Sequence, residues 1–261
     1  MKIVVCVKQV PEVTDVQVDP QTGTLIREGV KSILNPFCEY ALDHAVRIAR
    51  ANQGVEIIAV SMGPPQARAA LLRCLELGAD RAVLVTDRKF AGADTWATAL
   101  TLAEAIRFVS PDFNLILTGK QAIDGDTAQV GPEIAEILGL PQITYGVQAE
   151  LSGSGRRIRV KKEVERGYEV YETALPALVT FSKGETVRRA PSFLDVIDAR
   201  KKPFQTVSAE DLGLTEGSLG LMGSFTQVVK VFPPPEKKCS RVLQNLEAEQ
   251  AAREIYQFLK E

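Results

Sequence analysis

The stretch Asn114-Leu115-Ile116-Leu117-Thr118-Gly119-Lys120-Gln121-Ala122-Ile123-Asp124-Gly125-Asp126-Thr127-Ala128-Gln129-Val130-Gly131 passes from an apolar run, through a polar loop broken by glycines, into a helical pattern. A strand over Asn114–Thr118, a loop, and a helix from about Gly131 to Leu138 make one strand–loop–helix unit. The strand half carries the continuous apolar run Leu115-Ile116-Leu117. Continuous apolar runs suit a parallel sheet buried on both faces.

Working outward toward the N-terminus, the same unit recurs. Lys2–Val7 reads as a strand, followed by a helix capped by Asn35, with Pro36 in its first turn and Gly54 ending it. Val55–Val60 and Ala82–Thr86 read as the next strands. Pro64–Leu77 reads as a helix closed by Gly78, and a helix capped by Asp94 runs to about Val109. The expected fold class is therefore α/β, a doubly wound, mostly parallel sheet. Beyond Pro141 the texture changes. Thr144–Leu151, Arg156–Val164, Glu169–Ala174 and Ala177–Phe181 read as strands of an antiparallel extension, so the α/β domain is placed at residues 1–182. Residues 183–202 form a basic segment interrupted by Pro191, Phe193 and Leu194. Residues 203–261 read as a loop-rich C-terminal arm with a closing helix at Leu243–Leu259. A long irregular arm on a compact domain usually wraps around something.

Composition excludes several classes. The chain has 261 residues, 45% of them apolar and 25% charged, which is ordinary for a globular domain. Its net charge of -2 argues against a protein that binds nucleic acid by neutralising phosphates. No apolar run approaches the roughly 18–20 residues that span a bilayer, so no direct membrane insertion is expected. The opening residues Met1–Lys8 are too short and too soon charged for a secretion signal, which points to the cytoplasm. Cys6, Cys38, Cys74 and Cys239 have no metal-finger spacing and read as reduced, mostly buried thiols. His44, the single histidine, cannot build a histidine metal cluster and reads as a helix-face residue. The P-loop, the GxGxxG fingerprint and the GxSxG elbow are all absent.

Ligands of such sheets bind beyond the carboxyl ends of the strands. Four segments end there: Cys6–Gln9, Ser61–Pro64, Ala91–Thr95 and Thr118–Gly131. The last can cradle a phosphate on its backbone N–H groups and the helix start behind them, or it can be a turn that caps the helix. Residue types leave both open. Asp124 and Asp126 would repel a phosphate unless turned away, and they suit ribose hydroxyls or N–H caps. Asp94 suits a cap. Thr95 and Thr98 share a helix face that can be a hydroxyl ridge.

Together these residues resemble the beta subunit of electron transfer flavoprotein. The resemblance is carried by Val5–Val10, Gly29-Val30, Asn35-Pro36-Phe37-Cys38-Glu39, Ala59–Pro64, Leu77–Ala82, Gly119–Asp124, Val160–Glu169 and Leu175–Thr180. It departs from the family at Glu165-Arg166-Gly167, a turn. The resemblance implies an adenine-nucleotide-binding fold, a heterodimer with an alpha subunit that holds most of the electron-transferring FAD, and an electron carrier rather than a stand-alone enzyme. By position, Cys6, Lys8, Asn35, Phe37, Cys38 and Met62 match the family's nucleotide contacts. Gly119, Gln121, Ala122, Ile123, Asp124, Gly125, Asp126, Thr127, Gln129, Val130 and Gly131 match its phosphate loop.

The resemblance also bears on which nucleotide this subunit holds. Asp19–Arg27, Gly92–Thr95 and Asp124–Pro132 look like the electron-bifurcating type, which holds a second FAD and oxidises NADH. In that type small residues at Gly92 and Ala93 would leave room for an isoalloxazine ring near Asp94, Thr95 and Thr98. Asn35–Cys38 looks like the type that holds structural AMP. A second FAD is the favoured expectation and AMP the alternative. The basic Arg188–Lys202 segment matches the loop that docks acyl-CoA-type dehydrogenases, with Phe193 or Leu194 as an apolar anchor. The arm would wrap the alpha subunit. The rival from another class is a universal-stress-type nucleotide sensor, which shares the fold but needs neither the basic segment nor the arm.

Overall fold

The computed structural model describes residues 1–12, 31–184, 190–229 and 244–260. The chain divides into two compact units, Met1–Gln17 with Ile26–Val229, and Val18–Leu25 with Lys230–Glu261.

The larger unit is built on a nine-stranded sheet. Its strands are β1 (Lys2–Cys6), β4 (Glu56–Met62), β5 (Arg81–Val85), β6 (Leu115–Gly119), β7 (Gln142–Ser152), β8 (Arg157–Val164), β9 (Gly167–Ala174), β10 (Ala177–Phe181) and β11 (Phe204–Val207), in the spatial order β11-β5-β4-β1-β6-β10-β7-β8-β9. A short antiparallel pair, β2 (Gln9–Pro11) and β3 (Ser32–Leu34), stands apart from it. The helices are α1 (Pro36–Ala51), α2 (Arg68–Leu77), α3 (Thr95–Val109), α4 (Val130–Leu138) and α5 (Phe193–Ala199).

Strand periodicity sorts the core onto two faces. Ile3, Val5, Ile57, Ala59, Leu115 and Leu117 point to one face, with Leu42, Ala45 and Leu71 of α1 and α2. Val4, Ile58, Val60 and Ile116 point to the other, with Leu102, Ile106 and Ile134 of α3 and α4. Both faces are covered, which is why these strands carry continuous apolar runs, with Ser61 and Thr118 as buried polar members. The expected doubly wound sheet is present.

The structure corrects the sequence reading in four places. Ala177–Phe181, expected in the antiparallel extension, runs parallel to both β6 and β7, and within the nine-stranded sheet only β7–β8 and β8–β9 pair antiparallel among the described residues. Its five residues are all buried, as a strand inserted between two others must be. The segment after residue 203, expected to be loop-rich, begins with β11, which pairs parallel with β5 at the sheet edge. The basic segment holds α5, started by a Ser192–Asp195 capping box and packed on α2. Finally, Asn35 precedes α1 but makes no side-chain cap; its side chain is used elsewhere.

The described part of the smaller unit, residues 244–260, holds α6 (Ala248–Phe258), shorter than the expected closing helix. Ala248, Ala251, Ala252 and Ile255 repeat at helical spacing along it. Among the described residues no helix is long and apolar enough to cross a membrane, and no group of three His, Cys, Asp or Glu residues could hold a metal ion.

Candidate functional site

From β1 the chain winds outward through β4 and β5, then returns to place β6 on the other side of β1. The switch in strand order therefore falls between β1 and β6, where a ligand crevice opens at the carboxyl ends. Register aligns Cys6 with Val60 on one side and Thr118 on the other. That brings the loops after β1, β4 and β6 to one edge.

Asn35 organises this edge. It is 1% exposed, so each of its polar atoms needs a partner. Its amide donates to the Gln121 carbonyl at 2.8 Å and to Cys38 Sγ at 3.2 Å, and its carbonyl accepts from the Ile123 N–H at 3.3 Å. The side chain thus holds the Gln121–Ile123 backbone in place. Stripping such buried partners costs about 1–3 kcal/mol each. The loop also closes on itself, with Gly125 and Asp126 donating to the Ala122 carbonyl. Asp126 and Ala128 adopt the left-handed backbone, φ 55° and 56°.

The two carboxylates are engaged by the protein's own donors. Lys8 Nζ lies 2.7 Å from Asp124 Oδ1, and the Gln121 side-chain amide donates to Asp126. Lys8 thereby braces the loop. The Lys120 ammonium sits over the Phe37 and Tyr145 rings, at 5.0 and 5.6 Å from their centroids. Thr127 is exposed, and Gln129 precedes α4 without capping it by its side chain. The first-turn N–H groups of α4 therefore receive no side-chain cap from Gln129, as a phosphate-binding helix start requires. Val130 packs against the core.

Two glycines allow the elements to meet here. A Cβ on Gly119 would stand 2.7 Å from the Phe37 carbonyl carbon, where α1 begins. A Cβ on Gly131 would stand 2.7 Å from Thr180 and 2.9 Å from Thr118 Oγ1. Both are close-approach positions.

The described thiols are held in their protonated form. Burial pushes Cys6 up to about 12 and raises Cys38 above its ordinary value, the Asn35 hydrogen bond offsetting only part of that. Cys6, Cys38 and Cys74 are free and buried, as expected, while Cys239 lies outside the described residues. Met62 ends β4, partly buried against the core.

A second group gathers at the start of α3. Asp94 caps the helix as expected, Oδ1 accepting from the Ala97 N–H at 3.0 Å. The Thr95 hydroxyl donates to Glu133 Oε1 at 3.0 Å, tying α3 to the first turn of α4. Burial raises the Glu133 carboxyl, and its Oε2 is buried without a partner. Thr98 lies one turn on from Thr95, partly buried. The space beside Gly92, expected to be free for a ring, faces Leu221: a Cβ there would stand 3.2 Å from Leu221 Cβ. Asp19–Arg27, another of the expected signals, lies outside the described residues.

Phe193 and Leu194 are 78% and 69% exposed on α5. They stand free on a short, capped helix rather than on a loop. Sequence reasoning missed Glu133, Ser224 and Thr226, all within hydrogen-bonding distance of Asp94 or Thr95. Glu133 sits in a helix first turn, where an acid is explained by the helix dipole alone. Ser224 and Thr226 lie 130 and 132 residues from Asp94, in a segment with no periodic pattern.

Comparison with known proteins yields a consistent set. The electron transfer flavoprotein domain matches residues 22–212. The caffeyl-CoA reductase-Etf complex subunit CarD of Acetobacterium woodii is 44% identical over 261 residues, covering 100% of this chain and 98% of its own. The electron transfer flavoprotein subunit beta of Clostridium acetobutylicum is 47% identical over 230 residues, covering 88% of this chain and 87% of its own. Protein FixA of Azorhizobium caulinodans is 44% identical over 239 residues, covering 90% and 85%.

Proposed function

This chain belongs to the electron transfer flavoprotein family as a beta subunit, and on that premise we propose that it holds its own nucleotide at the carboxyl ends of β1 and β6. The observation that carries this is the Asn35-locked loop running into α4, whose first turn Gln129 does not cap. Asn35, Lys8 and Gln121 hold the loop, and the start of α4 would face the nucleotide phosphates. Gly119 and Gly131 let α1, β6, β10 and the start of α4 close up around that loop.

The nucleotide we propose is FAD, with an alpha subunit as partner, FAD shared with that subunit, and NADH as the electron source of a bifurcating complex. The Asp124–Pro132 motif and the Thr95–Thr98 ridge support that reading. A flavin there would supply hydride and single-electron transfer, while this chain binds, orients and shields it. AMP is the second reading, because Leu221 occupies the space beside Gly92 and because Asn35–Cys38 resembles the AMP-holding pattern. The exposed Phe193 and Leu194 would anchor a partner dehydrogenase of the acyl-CoA type, as an apolar pair ringed by charge suits a docking hot spot. The name of the Acetobacterium relative, a caffeyl-CoA reductase complex subunit, favours that partner class.

The test is to co-express the chain with its alpha subunit, denature the purified complex and count what is released. Two FAD and no AMP per heterodimer is the expected result. One FAD and one AMP would overturn the bifurcating assignment and leave a carrier with a structural nucleotide. One FAD alone would remove the nucleotide site from this subunit.

A further inference from the structure

Residues 216–226 are fastened across the start of α3 by contacts that leave little slack. Gly220 adopts φ 50°, and a Cβ there would stand 2.3 Å from the Lys89 carbonyl oxygen and 2.7 Å from that of Ala91. Only glycine lets the two backbones approach this closely. The Leu221 N–H donates to the Ala91 carbonyl at 3.1 Å. Lys89 pairs with Glu216 at 2.8 Å. Ser224 Oγ accepts from the Asp94 N–H at 2.8 Å while donating to the Gly220 carbonyl at 2.7 Å. The Phe225 and Trp96 rings lie 5.4 Å apart.

Asp94 is where this strap meets the site. Its Oδ1 caps α3, and its Oδ2 accepts both the N–H and the hydroxyl of Thr226, at 2.9 and 3.0 Å. The next residue, Thr95, donates to Glu133 in the first turn of α4. One unbroken path of hydrogen bonds and chain therefore runs from Thr226 through Asp94 and Thr95 to the helix start that ends the phosphate loop. Thr226 itself is exposed, and Met222 and Phe225 are 80% and 79% exposed.

We propose that the 216–226 strap is thermodynamically linked to the nucleotide site: the strap seats more firmly when the site is filled, and releasing it weakens the hold on the nucleotide. This rests on the nucleotide reading above. Binding at the α4 start fixes Glu133, Thr95 and Asp94, and a fixed Asp94 presents Oδ2 to Thr226. Linkage is reciprocal, so the strap returns the same factor to the nucleotide.

The experiment uses the full heterodimer, stripped of the beta-subunit nucleotide and reloaded with AMP or with FAD. Amide hydrogen exchange of residues 219–226 is expected to slow by about fivefold or more on loading. Thr226→Val, which removes one hydroxyl outside the site, is expected to speed strap exchange and weaken nucleotide binding by a matching factor. Thr226→Ser, which keeps the hydroxyl, is expected to behave as the wild type. Strap exchange that ignores loading would overturn the linkage. So would a Thr226→Val heterodimer with a loosened strap and unchanged nucleotide affinity. If the stripped heterodimer takes up neither AMP nor FAD, the nucleotide reading falls and the linkage with it; uptake without a strap response sinks only the linkage.

Discussion

Asn35 and His44 are both 1% exposed, and they meet the demands of burial differently. Asn35 satisfies its side chain by holding the Gln121–Ile123 backbone. His44 stacks on Phe181 with ring centroids 4.2 Å apart, and its Nε2 finds no partner. Burial keeps the His44 imidazole neutral, moving it from 6.5 to about 4. In the unfolded chain the imidazole takes up its proton near 6.5, before the folded one does. Stability is therefore full above pH 6.5 and erodes as pH falls toward 4. The shift corresponds to about 3 kcal/mol. Denaturation of wild type and His44→Phe between pH 7 and 4 is expected to show the wild type losing about that much more. Parallel pH profiles would contradict the assignment. Neither residue's role was readable from the sequence. An asparagine before a proline reads as a cap, and a helical histidine reads as surface or core alike. What decides each is a partner 86 or more residues away, as with Asn35 and Gln121.

At the scale of elements, most of the sheet was legible, because buried parallel strands announce themselves as short apolar runs between helical patterns. The cap at Asp94 and the glycine stop at Gly78 were legible for the same local reason. The direction of β10 was not. Ala177–Phe181 follows two antiparallel strands in sequence, and only its insertion between β6 and β7 sets it parallel. Strand β11 was hidden by its mixed composition, since as an edge strand only Val207 is fully buried. Within the candidate loop, two glycines of similar appearance differ in what surrounds them. Gly119 presses on the start of α1, whereas a Cβ on Gly125 would meet nothing within 4 Å. Gly119→Ala is expected to cost about 1–3 kcal/mol through forced backbone movement. Gly125→Ala is expected to stay within about 0.5 kcal/mol of wild type. Chemical denaturation at equal heterodimer concentration checks both, and equal costs would contradict the close-approach account.

For the whole molecule, the sheet, its switch point and the loop at that point are what family membership and physical reasoning both lead to. The larger unit carries the candidate site and the exposed Phe193 and Leu194 of α5, and the second unit carries α6. The sequence marked out an arm because glycine and proline crowd residues 203–240. It could not show that the compact unit continues to Val229, since the contacts holding 216–226, such as Lys89–Glu216 and Asp94–Thr226, join residues far apart in sequence. The central claim is that a nucleotide lies at the carboxyl ends of β1 and β6. The most direct test is a crystal structure of the heterodimer as purified. The account predicts nucleotide phosphates against residues 121–131 and the start of α4, with Asn35 holding the loop beneath them. A nucleotide bound elsewhere on this subunit, or clear density showing that loop closed over water alone, would contradict it.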